Sequence, residues 1–146
     1  MEIRKLNEIF YNENKHLVEV LDKSGTSWTG DKTRGYGVVL VDIVGLRFGI
    51  PLRSGAKHSQ CYKFFNDNSL DYSKAVLLTK DEYVSEVPFM IPNEQFISIK
   101  SKAYFITQKF NKYVERYINA IKKDDKNALR VYAYSTLQNY HTELGI

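Results

Sequence analysis

The sequence lacks a second cysteine for a disulfide and lacks an apolar run long enough for a membrane span. Its single cysteine, Cys61, excludes a disulfide within the chain and is typical of proteins in a reducing compartment. The longest apolar runs, such as residues 36–41 and 75–78, are far too short to cross a membrane. Residues 1–10 lack the apolar stretch of a secretory signal. We therefore expect a cytoplasmic protein.

Motifs for metal ions and nucleotides are missing as well. The histidines His16, His58 and His141 are widely separated, so the sequence lacks the clustered ligands that a zinc site needs. It also lacks the carboxylate clusters that bind hard cations. The glycines of residues 30–37 follow a polar loop rather than a strand and do not have the spacing of a phosphate-binding loop. We expect no metal ion and no other cofactor.

The composition is that of an ordinary globular domain. A chain of 146 residues with 43% apolar residues suits one domain, residues 1–146, with a real core. The net charge of +4 is mild and by itself indicates no polyanionic partner. Eleven tyrosines and eight phenylalanines are plentiful. Such rings stack on nucleobases or fill a core, and we expect most of them in the core.

Hydrophobic patterning predicts an α+β fold. The apolar run 36–41 and the alternating residues 46–50 predict a hairpin that turns near Val44–Gly45, and Pro51 is expected to end its second strand. A third strand is predicted at 74–79. Residues 6–21 have a helical period, and residues 88–96 read as extended.

The C-terminal part of the chain is predicted to be helical. From about Ser101, apolar residues recur at helical spacing, with basic residues on the other faces. Asp124–Asp125 is expected to end that helix and to cap a second one that reaches Tyr140.

The segment PLRSGAKHSQCYKF, residues 51–64, follows the predicted hairpin and gathers hydroxyls, cations and a histidine. A polar loop, residues 23–35, enters the first hairpin strand, and antiparallel pairing brings both segments to one end of the sheet. We expect an anion site there. RNA can attack its own phosphodiester through the 2′-hydroxyl, so the protein has to supply only a base, an acid and cations.

The residue types in these segments suggest individual roles. The candidates for catalysis are Ser54, Lys57, His58 and Tyr36. The candidates for binding RNA are Lys32, Thr33, Arg34, Arg53, Lys63, Lys109, Lys112 and Arg116. Two other interpretations stay open: the cations are merely solvated, or Cys61 and His58 form a nucleophile pair.

The segment RGYGVVLVDIVGLRFGIPLRSGAKHS resembles the ribonuclease toxins of type III toxin–antitoxin systems, which include ToxN, AbiQ, CptN and TenpN. The similarity lies in GVVL at 37–40, PL at 51–52, and then Ser54, Lys57 and His58. The form IPLRS…H, together with YVERYI at 113–118, is most similar to the TenpN branch.

The resemblance implies a compact, strongly twisted antiparallel sheet or partial barrel with flanking helices, similar to the MazF/Kid toxins. It implies a metal-independent endoribonuclease that leaves 2′,3′-cyclic phosphate and 5′-hydroxyl ends. The implied partner is a small RNA antitoxin made from tandem repeats, which the toxin cuts and binds in a closed toxin–RNA assembly. The implied role is growth arrest and abortive phage defence, with cellular or phage mRNA as substrate.

Two rival functions remain on the sequence alone. One is a MazF/Kid-type ribonuclease that a protein antitoxin neutralises. The other is a non-catalytic RNA-binding module whose loop grips phosphate without cutting it.

Overall fold

The computed structural model of the chain describes residues 1–21 and 37–146, together with the backbone of residues 23–24 and 27–28. Within this part, seven strands form an antiparallel sheet in the order β6-β7-β5-β4-β1-β9, with β8 also paired to β5. These strands are β1 (Ile3–Leu6), β4 (Gly37–Ile43), β5 (Leu46–Ser54), β6 (Cys61–Phe65), β7 (Asn68–Asp71), β8 (Val76–Leu77) and β9 (Val84–Pro88). A separate two-stranded pair is formed by β2 (Lys23–Ser24) and β3 (Ser27–Trp28). The helices are α1 (Glu8–Glu13), α2 (Asn93–Ser101), α3 (Ala103–Lys123) and α4 (Lys126–Leu129).

The β4–β5 hairpin confirms the prediction for the centre of the sheet. Ile43 pairs with Leu46, which leaves Val44 and Gly45 as the turn, with φ values of 45° and 75°. Two residues with positive φ match the right-handed twist of the strands that they join. β4 lies between β5 and β1, and its valines are buried on both faces, Val38 on one and Val39 and Val41 on the other.

The prediction that Pro51 ends the second strand was wrong, because β5 continues to Ser54. On the edge facing away from β4, residues 48–49 pair with β8 and residues 52–54 pair with β7. Pro51 lies where β5 changes from one partner to the other. A missing N–H donor at that position breaks neither ladder, so proline is tolerated.

The predicted N-terminal helix is shorter than its period suggests. It ends at Glu13, where the Asn14 side chain donates a hydrogen bond of 2.7 Å to the carbonyl of Phe10. Leu17 and Val20 still enter the core, although they do so from irregular backbone. The extended reading of residues 88–96 also fails beyond Pro92, because α2 begins directly after that proline.

The C-terminal helices follow the prediction more closely. Asp124 adopts a left-handed conformation that ends α3, and the Asp125 carboxylate caps α4 by accepting a 3.1 Å bond from Ala128 N–H. Helix α4 has only four residues and gives way to 3₁₀ turns at 130–132 and 136–139, so the predicted second helix is confirmed only at its start.

Helix α3 packs its apolar stripe on the sheet. Phe110 lies in edge-on contact with Phe48 of β5, with 5.2 Å between the ring centroids. Ile106 and Val114 are fully buried on the same side of the helix. The α+β class, the antiparallel sheet and two C-terminal helices are therefore confirmed, although the second helix is much shorter than predicted. No helix in the described residues is both long enough and apolar enough to span a bilayer.

Candidate functional site

The loop that carries the candidate catalytic residues Lys57 and His58 connects β5 to β6 and spans residues 55–60. Gly55 opens it with a φ of 74°, a conformation that favours glycine, and its N–H donates to the carbonyl of Asp67 at 3.0 Å. β7 lies between β5 and β6, and the loop runs over its length, from beside Asn68, the first residue of β7, to beside the last residue. The last residue of that strand is Asp71.

Asp71 organises the site. Its side chain is 0% exposed, and both oxygens accept hydrogen bonds. Oδ2 accepts from Arg53 Nη1 at 2.7 Å and lies 3.1 Å from His58 Nε2. Oδ1 accepts from the Ser73 hydroxyl at 2.6 Å and from the Ser73 N–H at 3.0 Å. A buried carboxylate is tolerable when its acceptor sites are filled in this way, so this cluster is a fixed part of the structure.

Sequence reasoning missed Asp71 and Ser73. The sequence signal was weak: Asp71 lies between Leu70 and Tyr72, and a charge between apolar residues needs a partner where that segment is buried. The sequence does not say which cation supplies it, since Arg53 and His58 are 18 and 13 residues away.

The contacts of His58 define its tautomer. The N–H of Gln60 donates to Nδ1 at 3.0 Å, so Nδ1 is an acceptor and carries no proton. The proton of the neutral ring therefore lies on Nε2, which donates to Asp71. This is the orientation that a carboxylate imposes on a general base, but the basic nitrogen is occupied by a main-chain donor. His58 becomes free to accept a proton only when Gln60 moves or finds another acceptor.

The Cys61–His58 nucleophile pair is not formed. The Cys61 thiol donates to the main-chain oxygen of His58 at 3.3 Å, and both ring nitrogens of the histidine are engaged elsewhere. Burial also raises the pKa of the Cys61 thiol, which keeps it protonated. An active nucleophile requires the opposite, a thiolate favoured by an adjacent base or cation.

Arg53 and Ser54 point to opposite faces of β5, because successive strand residues alternate. Arg53 and Lys63 both pair with Ser69 of β7, so these two cations share the face on which Asp71 lies. Ser54 lines a small cleft with Phe64 and Gln95, and Arg53 reaches the same cleft. The structure thus brings Arg53 to the carboxylate that His58 contacts and places Lys63 on the same face, whereas Ser54 makes no contact with His58 among the described interactions.

Lys57 projects from the loop next to His58. It is exposed and makes no hydrogen bond or ion pair with any residue that the structure describes. A solvated ammonium group at this position is available to a phosphate.

The basic residues of α3 line a cleft together with the same loop. This cleft has a volume of about 330 Å³. Residues 59–62 form part of its lining, and the helix contributes Phe105, Lys109, Lys112, Tyr113 and Arg116. A second cleft of about 370 Å³ shares Gln60, Arg116 and Tyr132 with the first, so a groove continues along α3 toward Lys123. Gln60 therefore touches both this groove and His58.

Four candidate residues, Lys32, Thr33, Arg34 and Tyr36, lie outside the described residues. The strand that follows them begins at Gly37, and Val38 pairs with Pro51. The start of β4 is therefore beside the part of β5 that leads to Arg53, as the predicted hairpin requires.

Within residues 1–21 and 37–146, no group of three or more His, Cys, Asp or Glu side chains is placed to hold a metal ion. Comparison with known proteins adds no identification: no family model matches the sequence, and neither the curated proteins nor the solved structures give a significant match. The resemblance to type III toxins therefore stays a prediction.

Proposed function

We propose that this protein is a metal-independent endoribonuclease that cleaves RNA through the 2′-hydroxyl of the RNA itself. The observation that carries the proposal is the His58–Asp71 pair: a partly exposed imidazole oriented by a fully buried carboxylate, next to Lys57, which has no ion pair with a described residue. A merely solvated surface histidine needs no buried carboxylate behind it. The cation-lined groove that begins at Gln60 supports RNA as the polyanion.

The proposed reaction uses few groups. The 2′-oxygen attacks phosphorus, the bond to the 5′-oxygen breaks, and the products carry a 2′,3′-cyclic phosphate and a 5′-hydroxyl. His58 Nδ1 takes the 2′-hydroxyl proton once the Gln60 N–H has turned to another acceptor, and a non-bridging phosphate oxygen is a suitable one. Lys57 and the guanidinium group of Arg53 offset the charge that develops on the phosphate, and Lys57 is the candidate proton donor to the leaving oxygen. Tyr36 remains a further candidate for either proton transfer.

The biological setting follows from the resemblance. The protein acts in the cytoplasm as the toxin of a type III toxin–antitoxin system, on cellular or phage mRNA. A small repeat-derived RNA, which the toxin itself cuts into units, neutralises it within a closed toxin–RNA assembly. The outcome is growth arrest that limits phage spread.

The test is digestion of single-stranded RNA in the presence of EDTA, with the fragment ends mapped. Wild-type protein is expected to cut and to leave cyclic-phosphate and 5′-hydroxyl ends. His58→Ala and Lys57→Ala are each expected to lower the rate by about a hundredfold or more. His16→Ala replaces another exposed histidine and serves as the matched control, with an unchanged rate expected. Cutting that persists at the wild-type rate in both loop variants contradicts the assignment.

One observation favours a second function, a non-catalytic RNA-binding module. Both nitrogens of His58 are occupied, so the ring as it stands has no free site for a proton. Under this alternative, the wild-type protein binds the RNA and leaves every backbone intact in a long incubation. The same digestion, followed by a binding measurement, separates the two functions.

A further inference from the structure

Phe105 occupies an unusual position for a large apolar residue. It precedes Ile106, which is fully buried, and so lies beside the apolar stripe of α3 rather than in it. Its side chain is 46% exposed and lines the cleft between α3 and residues 59–62. The core of the protein does not require an aromatic ring there.

The surroundings of the ring are aromatic on one side and cationic on another. The Tyr62 ring lies 5.9 Å from that of Phe105, at an interplanar angle of 59°. The Lys109 ammonium group lies 5.4 Å from the Phe105 centroid, over the ring.

We propose that Phe105 and Tyr62 form a stacking site for one unpaired nucleobase of a bound RNA. The phosphates next to that nucleotide contact the cations further along the helix, Lys112 and Arg116, and Lys109 moves from the ring to a phosphate when the base arrives. The proposal rests on the proposed function in so far as RNA is the ligand, and it adds a binding site separate from the groups that carry out cleavage.

The chemistry of the cleft fits a nucleotide better than a purely apolar or a purely anionic ligand. An aromatic surface stacks on every type of base, while neighbouring cations hold the backbone, and this combination is what binds single-stranded nucleic acid. A volume of about 330 Å³ is at the small end of ligand-sized pockets. The bases of an RNA helix are stacked inside it, so the site takes a base from a single-stranded stretch.

The chain offers a matched control one residue away. Tyr104 is also aromatic and is 79% exposed, more than Phe105, but it is not among the residues that line the cleft. If the loss of any exposed ring from α3 lowers RNA affinity, replacing either residue lowers it equally. If stacking is the cause, only the replacement of Phe105 lowers the affinity.

The experiment measures the affinity for short single-stranded 2′-O-methyl oligonucleotides, which have no free 2′-hydroxyl and so cannot be cut by the proposed mechanism. Phe105→Ala is expected to weaken binding about tenfold, the usual effect of one stacked base, and Tyr104→Ala by less than about twofold. Phe105→Trp is expected to keep the affinity. Phe105→Leu retains an apolar contact with Tyr62 but lacks a ring, and is expected to behave like Phe105→Ala.

Oligonucleotides with one abasic position, moved along the chain, identify the stacked base. One such position is expected to weaken binding to the wild type and to have no effect on Phe105→Ala, because the same interaction is already lost. Equal affinity of Phe105→Ala and wild type overturns the stacking site, even when RNA is still cut. A selective loss at Phe105 in a protein that cuts no RNA supports the stacking site and contradicts the nuclease. A wild-type protein that binds none of the oligonucleotides contradicts both.

Discussion

Two groups of basic side chains lie next to the segment 59–62, and they differ in whether a carboxylate holds them. Arg53 and His58 are tied to the buried carboxylate of Asp71. The other group consists of exposed residues of α3 that make no ion pair with any residue in the described part of the chain: Lys109, Lys112 and Arg116.

The difference separates basic side chains that stabilise the fold from basic side chains that are available to bind a polyanion. A cation that balances a buried carboxylate contributes to folding, because its loss leaves a charge in a medium that solvates it poorly. A solvated cation contributes little to folding but lowers the free energy of any polyanion that comes close. Asp71 therefore holds the first group in position for the proposed catalysis, and the second group is available to hold the RNA.

The largest expected effect is on folding, through Asp71. In Asp71→Ala, Arg53 and His58 lose their shared partner and the Ser73 N–H loses its acceptor. Because Arg53 and His58 keep some contact with water, we expect a loss of about 3 kcal/mol in the free energy of unfolding, at the lower end for a broken buried pair. Urea denaturation followed by circular dichroism measures it.

The control for that prediction is the exposed pair Asp42–Arg47, at 3.2 Å. Removing an aspartate from a solvated pair is expected to cost less than about 1 kcal/mol, so Asp42→Ala unfolds close to the wild-type urea concentration. Equal losses for Asp71→Ala and Asp42→Ala contradict the distinction between the two groups.

The next effect in size is on RNA affinity. Replacing Lys109, Lys112 and Arg116 together by alanine removes three phosphate contacts, each of which changes the salt dependence of single-strand binding by about 0.7. The slope of log affinity against log salt is expected to fall by about 2, which corresponds to about a hundredfold weaker binding at 0.1 M salt. Fluorescence anisotropy at several salt concentrations measures both quantities.

A charge-matched variant makes that comparison specific. Lys100, Lys102 and Lys122 are exposed and are not among the residues that line the cleft. Their joint replacement by alanine changes the net charge by the same amount. We expect less than about a tenfold loss of affinity from it, with unfolding in both triple variants within about 0.5 kcal/mol of wild type. Equal affinity losses in the two triple variants indicate an effect of net charge and not of the cleft.

The sequence predicts the parts of this arrangement that depend on local patterns. The β4–β5 hairpin follows from strand alternation and from the turn at Val44–Gly45, and α3 follows from a helical period over five turns. The same period places the basic residues of α3 away from its buried stripe, which was enough to name them as candidates.

The rest depends on contacts between distant segments. The β6–β7 hairpin places residues 59–62 opposite α3, and no periodicity in the sequence predicts that these two segments line one cleft. Pro51 was misread because the change of partner along β5 is a property of the sheet and not of the strand. The partners of Asp71 were likewise beyond prediction, since several cations near residue 57 are equally plausible in sequence.

The most direct test of the central claim compares the cleavage of two RNAs by the wild-type protein in EDTA. One is an RNA whose cleavage site has been mapped. The other is the same RNA with a single 2′-deoxynucleotide on the 5′ side of that site. Cleavage by 2′-hydroxyl attack requires that one oxygen. We predict that the substitution abolishes cutting at this bond while binding of the RNA is unchanged. Cutting of the substituted RNA at the same bond and rate contradicts the account.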